Sequence, residues 1–498
     1  MINNYAIGDL DLNLKSDLAG ESPLYLYWSK DRLSFIYSDS ITELLNNDLI
    51  VKPLKVNNEG LSFLLQSGVV PPPKTIYEDI YIIGIGDIAK VSSINGKIEV
   101  KFSHQFPFMN ANRLKADEMQ PDEDLILQML AEATISRIDE SKPSFLFHSA
   151  GKDSNSIALA LAEAGWQNKV TLITQKSKGY SDESEISARV AKKLGFRHHI
   201  LNEVDQLKHE HKLSIDEYFI NAPFPCTDAV TLAYPLYTYQ APSLKHANII
   251  FGDGNDSHMM SPPDKRQRSV IPTSKWTSKA YILRSIINSE NKLNAVIRTP
   301  SEWFGMSGFS FKDSKKIFSS STSVYSYWSH ESKIRKDWDI FDYKSDIYST
   351  RAITERMIRK LHNFVDVNHS SLILPFANEK VASYFSNMPE KYLFDRDGLK
   401  NKLILRKILK ERLQLDSDEI GKMGWTYDSS SVVLNNWDWI MEEIGSCKLW
   451  DNENTFIVCG RLRNKMQSNH KYADLSGKLI YRIYLLSAWY NKNKYINV

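Results

Sequence analysis

Residues 145–156 read FLFHSAGKDSNS and are followed at once by IALALAEAGW. Its short apolar run stops at a serine, and a turn-prone cluster of Gly151, Lys152 and Asp153 comes next. The residues after this cluster have the composition of a helix. A strand that ends in a glycine-containing loop and opens a helix commonly holds a phosphate, because the first N–H groups of the helix point at the anion. The stretch therefore predicts a strand–loop–helix unit that binds a phosphate.

Composition limits which partners the protein can have. The chain has 498 residues, so we expect two or more domains. Its net charge is only +2, from 62 basic and 60 acidic residues, which argues against nucleic acid as the main partner. The three cysteines are far apart and show no metal-binding spacing, which favours a reducing compartment. Without a signal-like N-terminus or a long apolar run, we expect a cytoplasmic protein with no membrane partner.

The order of predicted elements changes near residue 105. Residues 1–105 predict a small β-rich α+β module, including a hairpin turn at Asn95-Gly96. From residue 120 to 498 we predict one larger domain, in which apolar runs first alternate with helical patterns. This alternation predicts an α/β fold, a parallel sheet with helices on both faces, followed by a mainly helical part from about residue 275. Ligands of such sheets bind at the carboxyl ends of the strands.

The phosphate loop is not a Walker A motif. That motif needs a glycine where this chain has Leu146, and Ser or Thr where it has Asp153. The segment Ser149-Ala150-Gly151-Lys152-Asp153-Ser154 instead resembles the Ser-Gly-Gly-x-Asp-Ser loop of the PP-loop ATP pyrophosphatases. The resemblance implies that the whole segment binds ATP through N–H groups and the two serine hydroxyls, and that Asp153 holds Mg²⁺. Ala150 replaces the first glycine of the pattern, so we expect a slightly reshaped loop.

A second loop follows another apolar run. Gly252-Asp253-Gly254-Asn255-Asp256 resembles the Gly-Asp-Gly-x-Asp-Glu segment of asparagine synthetase-like enzymes. The resemblance implies that Asp256 is the second Mg²⁺–pyrophosphate carboxylate and that Gly252, Asp253 and Gly254 line the nucleotide. At the strand ends, Leu146 and Phe147 are expected to meet adenine, and Thr174 ends the neighbouring strand.

Two cationic segments extend the resemblance. Leu374-Pro375-Phe376-Ala377-Asn378, with the later GLKNKLILRKIL, resembles the family's Pro-Phe-Leu-Asp stretch and its Lys-x-x-Leu-Arg helix. Lys402 and Arg406 are four apart and are predicted to share one face of that helix. Lys422-Met423-Gly424-Trp425 resembles the family's Lys-x-Gly-Phe, which implies that Lys422 meets the phosphates during acyl transfer. We take Lys422 and Lys402 as the candidate catalytic residues.

The order of these segments, together with a glutaminase-like pattern in the first 100 residues, places the resemblance with the asparagine synthetase-like family. That family's glutaminases use an N-terminal cysteine, whereas Ile2 stands here and the first cysteine is Cys226. The first half of the glutaminase pattern is also missing. We therefore expect no glutamine hydrolysis, and ammonia or an amine as the nitrogen source. Beta-lactam synthetases and lasso-peptide cyclases are relatives that close an amide in this way.

The acceptor side departs further from the family. Ser371 stands where asparagine synthetases have a candidate base, and Ser257 replaces the last Glu of the second loop. Asp253 or His258 is a candidate general base, although a structural role for His258 is the simpler interpretation. The basic stretch PPDKRQRS, residues 262–269, is predicted to be a solvated loop or a lid over the site.

The sequence thus predicts an ATP- and Mg²⁺-dependent carbon–nitrogen ligase. A substrate carboxylate would be adenylated with release of pyrophosphate, and ammonia or an amine would then take the acyl group. A small amino acid, a sugar acid and a peptide precursor all remain open as the carboxylate. A homodimer is possible, but the oligomeric state is open. The rival interpretations are a PP-loop ligase that modifies RNA and a degenerate nucleotide-binding scaffold protein.

Overall fold

The computed structural model describes residues 3–5, 10–108, 119–177, 182–259, 261–420, 427–468 and 473–497. The strands in these ranges are β1 (Asn3–Tyr5), β2 (Asp11–Lys15), β3 (Leu24–Trp28), β4 (Phe35–Ser38), β5 (Ile80–Ile83), β6 (Asp87–Ile94), β7 (Lys97–His104), β8 (Ser144–Phe147), β9 (Val170–Lys176), β10 (Arg197–Asn202), β11 (Asn248–Ile250), β12 (Ser371–Ile373), β13 (Phe394–Asp395) and β14 (Lys400–Asn401).

The α-helices in the same ranges are α1 (Ile41–Asn46), α2 (Asn58–Ser67), α3 (Glu123–Ile135), α4 (Lys152–Glu163), α5 (Ser184–Leu194), α6 (Lys212–Asn221), α7 (Ala233–Gln240), α8 (Lys265–Thr277), α9 (Lys292–Val296), α10 (Phe311–Ile317), α11 (Tyr325–Ile334), α12 (Ile340–Tyr348), α13 (Arg359–Val367), α14 (Glu379–Ser386), α15 (Glu390–Leu393), α16 (Leu403–Leu413), α17 (Ser417–Ile420), α18 (Ser429–Asn435), α19 (Trp437–Gly445), α20 (Asn452–Gln467) and α21 (Ala473–Lys492). A π-helical turn over Ser349–Ile358 joins α12 to α13.

The central sheet is parallel, as the alternation of strands and helices predicts. Across the described residues its strands lie in the order β10-β9-β8-β11-β12. Each pairing is parallel, and Leu146 of β8 is in register with Leu172 on one side and with Ile250 on the other. The edge strand β12 is not visible in the sequence pattern, because its three residues, Ser371–Ile373, are too few to show a period.

Helices cover both faces of this sheet. Along β8, Leu146 packs on one side with Ile157 and Leu161 of α4, whereas Phe147 packs on the other side near Tyr237 of α7. Neighbouring side chains point to opposite faces because a strand alternates with period two, so both faces of a parallel sheet must be covered by apolar elements. The sheet therefore forms the middle layer of an α/β unit.

The strand order reverses at the centre of the sheet. From β8 the chain steps through α4 to β9 and through α5 to β10, whereas β11 and β12 add on the opposite side of β8. The loops that leave β8 and β11 consequently part to opposite sides, and such a switch point opens a crevice at the carboxyl ends of the strands. Both loops that the sequence singles out begin there.

The first hundred residues form two small antiparallel sheets, ordered β1-β4-β3-β5 and β2-β6-β7 within the described residues. The predicted hairpin at Asn95-Gly96 is confirmed: both residues have positive φ, +52° and +71°, as a tight two-residue turn between twisted strands requires. Apolar side chains of both sheets pack together, among them Leu26, Phe35 and Val91. The predicted boundary between the module that ends at residue 105 and the domain that begins at residue 120 falls partly on residues 109–118, which lie outside the described residues.

These sheets also pack against the helical part. Arg359 of α13 donates a hydrogen bond of 2.7 Å to the hydroxyl of Tyr25 on β3, and both side chains are buried. A buried group of charges lies at the same junction, and we call it the junction cluster. Its members are Asp87, His104, Glu331, Arg335, Asp346 and Arg351.

The second half of the described chain is largely helical, as predicted from about residue 275. The basic stretch 262–269 is not simply a loop, however. Asp264 caps a helix by accepting a hydrogen bond of 2.7 Å from the N–H of Gln267, so α8 begins at Lys265. None of the helices in the described ranges combines the length and apolar character that crossing a membrane requires.

Candidate active site

The loop after β8 is held in shape by its own hydroxyl groups. The N–H of Ser149 donates to Ser154 Oγ at 3.1 Å, and the two serine Oγ atoms are also 3.1 Å apart. The N–H of Gly151 donates to Ser149 Oγ at 3.0 Å. Gly151 is the N-cap of α4 and has no side chain that could cap the helix. The N–H groups of the first turn can therefore donate hydrogen bonds to a bound anion. Lys152 begins the helix and is half-buried.

Two buried side chains that sequence reasoning missed support this loop. Asn155 donates to the carbonyls of Ser149 and Gly151 at 3.0 and 2.6 Å, and its Oδ1 lies 3.0 Å from His148 Nε2. Burial lowers the pKa of His148 to about 4, against the opposing hydrogen bond with Asn155, so the imidazole is neutral at pH 7. Thr174 donates to the His148 carbonyl at 2.9 Å. Thr174 therefore stabilises the start of the loop from the neighbouring strand β9.

Ala150 bonds to a carboxylate. Its N–H donates a hydrogen bond of 3.0 Å to Glu183, whose side chain is buried. Burial raises the pKa of Glu183, and the hydrogen bond from Ala150 opposes that shift. Ala150 is not among the described residues with positive φ, so the alanine causes no backbone strain at the place where the family pattern has glycine.

The loop after β11 lies directly against the first loop. A Cβ atom at Gly252 would lie 3.0 Å from Asp153 Cβ and 3.1 Å from the N atom of Ser154, so only glycine fits there without displacement. Gly254 has φ of +98°, and a Cβ atom there would lie 2.7 Å from Ala377 Cβ. The two glycines thus bring three strand-end segments together, those after β8, β11 and β12.

Lys402 joins the two acidic loops. Its Nζ lies 2.5 Å from Asp153 Oδ2, 2.9 Å from Asn255 Oδ1 and 3.7 Å from Asp256 Oδ1. We call Asp153, Asp256 and Lys402 the cavity cluster. Burial alone would lower the pKa of Lys402, but the charges of Asp153 and Asp256 outweigh it and raise that pKa. The ammonium group is therefore fully charged at neutral pH.

The predicted helix face of Lys402 and Arg406 is wrong. Lys402 precedes the helix, because α16 begins at Leu403 and Lys402 has left-handed backbone angles, with φ of +57°. The two cations point to different partners: Arg406 Nη1 pairs with Asp418 at 2.5 Å, away from the cavity cluster. A lysine just outside the helix can reach back to the sheet, which a lysine in the helical register beside Arg406 could not do.

A cavity of about 310 Å³ opens above these loops, at the predicted edge of the sheet. Its polar lining contains half of the predicted site residues, namely Ser149, Gly151, Asp153, Ser154, Gly252, Asp253 and Asp256, and it also contains Asn255. Its apolar lining is Phe147, Val230, Tyr234, Phe251 and Met357. Leu146 is instead fully buried in the core beside α4. The sequence thus found the polar wall of the cavity, and Phe147, one residue beyond Leu146, lies in its apolar wall.

Lys360 is a cation of the cavity that no motif reveals. It lies on α13, lines the cavity, and pairs with Asp228 at 3.2 Å. Burial alone would lower its pKa, but the charges of Asp228 and Asp253 raise it. The only signal in the sequence is a lysine within an amphipathic helical pattern, and such lysines are common.

The pKa of the Asp253 carboxyl group in this cavity is raised. Burial raises its pKa to about 6, Lys360 opposes this shift, and the charges of Asp256 and Asp153 add to it. A carboxyl group that titrates near neutrality can accept or release a proton under physiological conditions. The other candidate base, His258, is buried against Phe385, with ring centroids 5.9 Å apart.

Lys422 and the rest of the Lys-Met-Gly-Trp segment lie outside the described residues. No set of three or more His, Cys, Asp or Glu side chains among the described residues has the arrangement of a metal site. Asp153 and Asp256 could nevertheless hold Mg²⁺ together with phosphates, because this ion usually takes one or two carboxylates and completes its shell with substrate oxygens and water. Asp153 Oδ1 is buried and accepts no hydrogen bond from a described residue, which suits a ligand atom.

No known family model matches this chain, and no curated protein matches it.

Proposed function

We propose that the protein is an ATP-dependent amide-forming enzyme that adenylates a carboxylate. One observation carries the proposal: a single cavity contains a strand–loop–helix anion site and two carboxylates from neighbouring parallel strand ends, and Lys402 connects those carboxylates. This combination suits a nucleoside triphosphate, whose binding needs N–H and hydroxyl donors, a divalent cation and a positively charged side chain close together.

The pyrophosphate end of ATP would lie on the loop after β8. The hydroxyls of Ser149 and Ser154 and the first N–H groups of α4 can donate hydrogen bonds to its oxygens. Asp153 and Asp256 would hold Mg²⁺, which would neutralise the phosphate charge. The aromatic walls, where Phe147 and Phe251 stack with ring centroids 4.5 Å apart, would hold the base or an apolar part of the acyl substrate.

The reaction has two balanced steps. A carboxylate oxygen of the substrate attacks the α-phosphorus, the bond from that phosphorus to the bridging oxygen breaks, and pyrophosphate leaves. The nitrogen of ammonia or an amine then attacks the acyl carbon, loses a proton, and displaces AMP. Lys402 and Lys360 can stabilise negative charge that builds up on the phosphate oxygens, because preorganised cations in a partly buried site act strongly. Asp253, whose pKa is raised, would accept the proton of the amine.

Exchange of labelled pyrophosphate into ATP tests the first step alone. The purified protein with Mg²⁺ is screened against pools of amino acids, sugar acids and peptides with free carboxylates. We expect exchange that depends on one pool and falls about a thousandfold in Asp153→Asn and in Asp256→Asn. The matched control is Asp418→Asn, which removes a surface carboxylate that pairs with Lys400 and Arg406.

The outcomes separate the rival functions. Exchange that requires transfer RNA would favour an RNA-modifying ligase. Tight binding of Mg-ATP without exchange in any pool would favour a nucleotide-binding scaffold. Exchange that persists at the wild-type rate in both Asp→Asn variants would contradict the assignment of the site, whichever substrate supports it.

A further inference from the structure

A second cavity lies apart from the candidate active site. Its volume is about 450 Å³, and α8, α9 and the segment around Trp303 form its walls. Volumes of this size are typical of ligand sites. We call it the α8 cavity. It shares no lining residue with the cavity of the candidate active site.

The charged side chains in its walls are all basic. Arg266, Lys292 and Arg298 line the α8 cavity, and no aspartate or glutamate is among its described lining residues. Two of these cations share one aromatic ring: the guanidinium carbons of Arg266 and Arg298 lie 5.1 and 5.7 Å from the centroid of Trp303. The indole therefore keeps two like charges near each other at the wall of one cavity.

Neither guanidinium has an ion-pair partner in the described part of the chain. Arg266 and Arg298 make no side-chain hydrogen bond or ion pair with a described residue beyond their contacts with Trp303. The nearby carboxylate of Glu302 is occupied, since Arg284 binds it through both oxygens at 2.9 and 2.6 Å. Burial lowers the pKa of Arg298, Glu302 opposes that shift, and repulsion from Arg284 and Arg266 adds to it. A bound anion would relieve this repulsion.

The surrounding surface is both basic and apolar. Residues 265–300 contain eight Lys or Arg and one Glu, although the whole chain has a net charge of only +2. Trp276 is 72% exposed and Val296 is 46% exposed. Val296 lines the cavity together with Thr277, which donates a hydrogen bond of 2.6 Å to the Val296 carbonyl. Trp276 precedes Thr277 in α8, and the ammonium group of Lys279 lies 4.4 Å from the centroid of its ring.

We propose that the α8 cavity and its rim bind an acidic peptide segment, with one apolar side chain of that peptide in the cavity and its carboxylates on Arg266 and Arg298. A small anion could fill the cavity but would leave the exposed Val296 and the remaining positive charge uncovered, whereas a peptide that crosses the cavity opening would cover both. A membrane surface could neutralise the charge, but it has no side chain to place in a cavity. Charge complementarity and the cavity together therefore favour a peptide.

Fluorescence anisotropy with defined peptides tests this inference directly. The probe is a short fluorescein-labelled peptide of glutamates around a central Trp-Leu pair. Two matched peptides replace either every Glu with Gln or the Trp-Leu pair with glycine. We expect the full probe to bind the intact protein, and each matched peptide to bind about tenfold more weakly or worse.

The protein variants locate the binding surface. Arg266→Glu changes an exposed residue and should weaken binding of the probe about tenfold. Its control is Arg32→Glu, because Arg32 is also an exposed guanidinium over a tryptophan, 5.6 Å from the ring centroid of Trp28, but lies on the N-terminal sheets. Binding that falls equally in both variants would reflect charge alone and would overturn the proposal.

Three other outcomes would also overturn it. The first is equal binding of the Gln peptide, which would remove the role of the arginines. The second is binding to phosphatidylglycerol vesicles, lost in Arg266→Glu, without binding of the peptide; this would assign the surface to a membrane. The third is a dimer in sedimentation velocity that Arg266→Glu dissociates, which would assign the surface to a second copy of the chain. Each readout is independent of pyrophosphate exchange, so the inference can fail while the proposed function stands.

Discussion

The cavity cluster and the junction cluster both place cations between carboxylates, but they differ in how completely the charges are enclosed. In the junction cluster, Arg335 is fully buried and binds Asp346 at 2.5 Å and Glu331 at 2.7 Å. In the cavity cluster, Asp153 and Asp256 remain 26% and 36% exposed beside Lys402. In a closed and paired cluster the charges are engaged with one another, whereas carboxylates that face a cavity can also bind a ligand.

The largest effect is expected from opening the junction cluster. Arg335→Met removes the only cation that contacts both Asp346 and Glu331 among the described residues, and leaves two buried carboxylates without their main partner. We expect a loss of about 3–5 kcal/mol in the free energy of unfolding, measured by urea titration. Lys336→Met, at an exposed neighbouring position, is the control. A loss as small as that of the control would contradict the comparison.

Lys402→Met should divide activity from stability. We expect pyrophosphate exchange to fall about a hundredfold, because the variant removes the cation beside both candidate metal carboxylates. The free energy of unfolding should fall less than in Arg335→Met, by about 1–2 kcal/mol, since both aspartate side chains are partly exposed. Lys400→Met, which alters a surface pair with Asp418, should leave both quantities nearly unchanged. Equal stability losses at Lys402 and Arg335 would remove the distinction between the clusters.

Asp253 supplies a pH dependence that belongs to the cavity. Its pKa, raised mainly by burial to about 6, exceeds the value of about 4 in the unfolded chain. The wild-type carboxyl group therefore contributes stability that is present below about pH 4 and is lost as pH rises through about 6. As pH rises from 4.5 to 7.5, the free energy of unfolding of Asp253→Asn should increase by about 1–2 kcal/mol relative to that of the wild type. Urea unfolding at each pH measures this difference. A difference in the free energy of unfolding that stays constant with pH would show that the pKa of Asp253 is not raised. Asp48→Asn, at an exposed position, is the control.

His104 supplies the smallest effect, in the junction cluster. Burial alone would lower its pKa, but the carboxylate of Asp346, 3.7 Å from Nε2, and the hydrogen bond of 2.7 Å with Asp87 outweigh burial and raise that pKa. The protonated ring therefore contributes stability that is full below about pH 6.5 and is lost as pH rises through the folded pKa. The stability gap between wild type and His104→Gln should shrink on going from acidic to alkaline buffer, with pyrophosphate exchange per folded molecule unaffected. A stability difference that widens as pH rises would contradict a raised pKa for His104.

The sequence predicts those parts of the site that depend on local order. Ser149–Ser154 and Gly252–Asp256 each follow an apolar strand, and the ends of parallel strands converge on one edge, so their proximity follows from the pattern alone. The fold class follows for the same reason. The loop supports, His148 and Asn155, are not visible because an ordinary His and Asn become informative only when their hydrogen bonds are known.

Long-range placement accounts for the rest. Lys360 reaches the cavity from α13, more than a hundred residues after the second loop, and no spacing rule connects the two. The resemblance identifies Lys402 but predicts that it lies within the helix. Its left-handed backbone instead places it just before α16. Backbone angles of this kind in a lysine are decided by tertiary contacts, here with Asp153 and Asn255, and cannot be predicted from propensity.

The order of strands in the central sheet has a consequence for how the protein is made. During synthesis β8 can pair with β9 soon after both emerge, but its other edge waits for β11, about a hundred residues later, and β11 in turn waits for β12 and its Ser371. Lys402 is synthesised later still. We therefore expect nascent chains that stop before residue 371 to expose an apolar strand edge and to depend on chaperones, and the cavity of the candidate active site to be completed only late in translation.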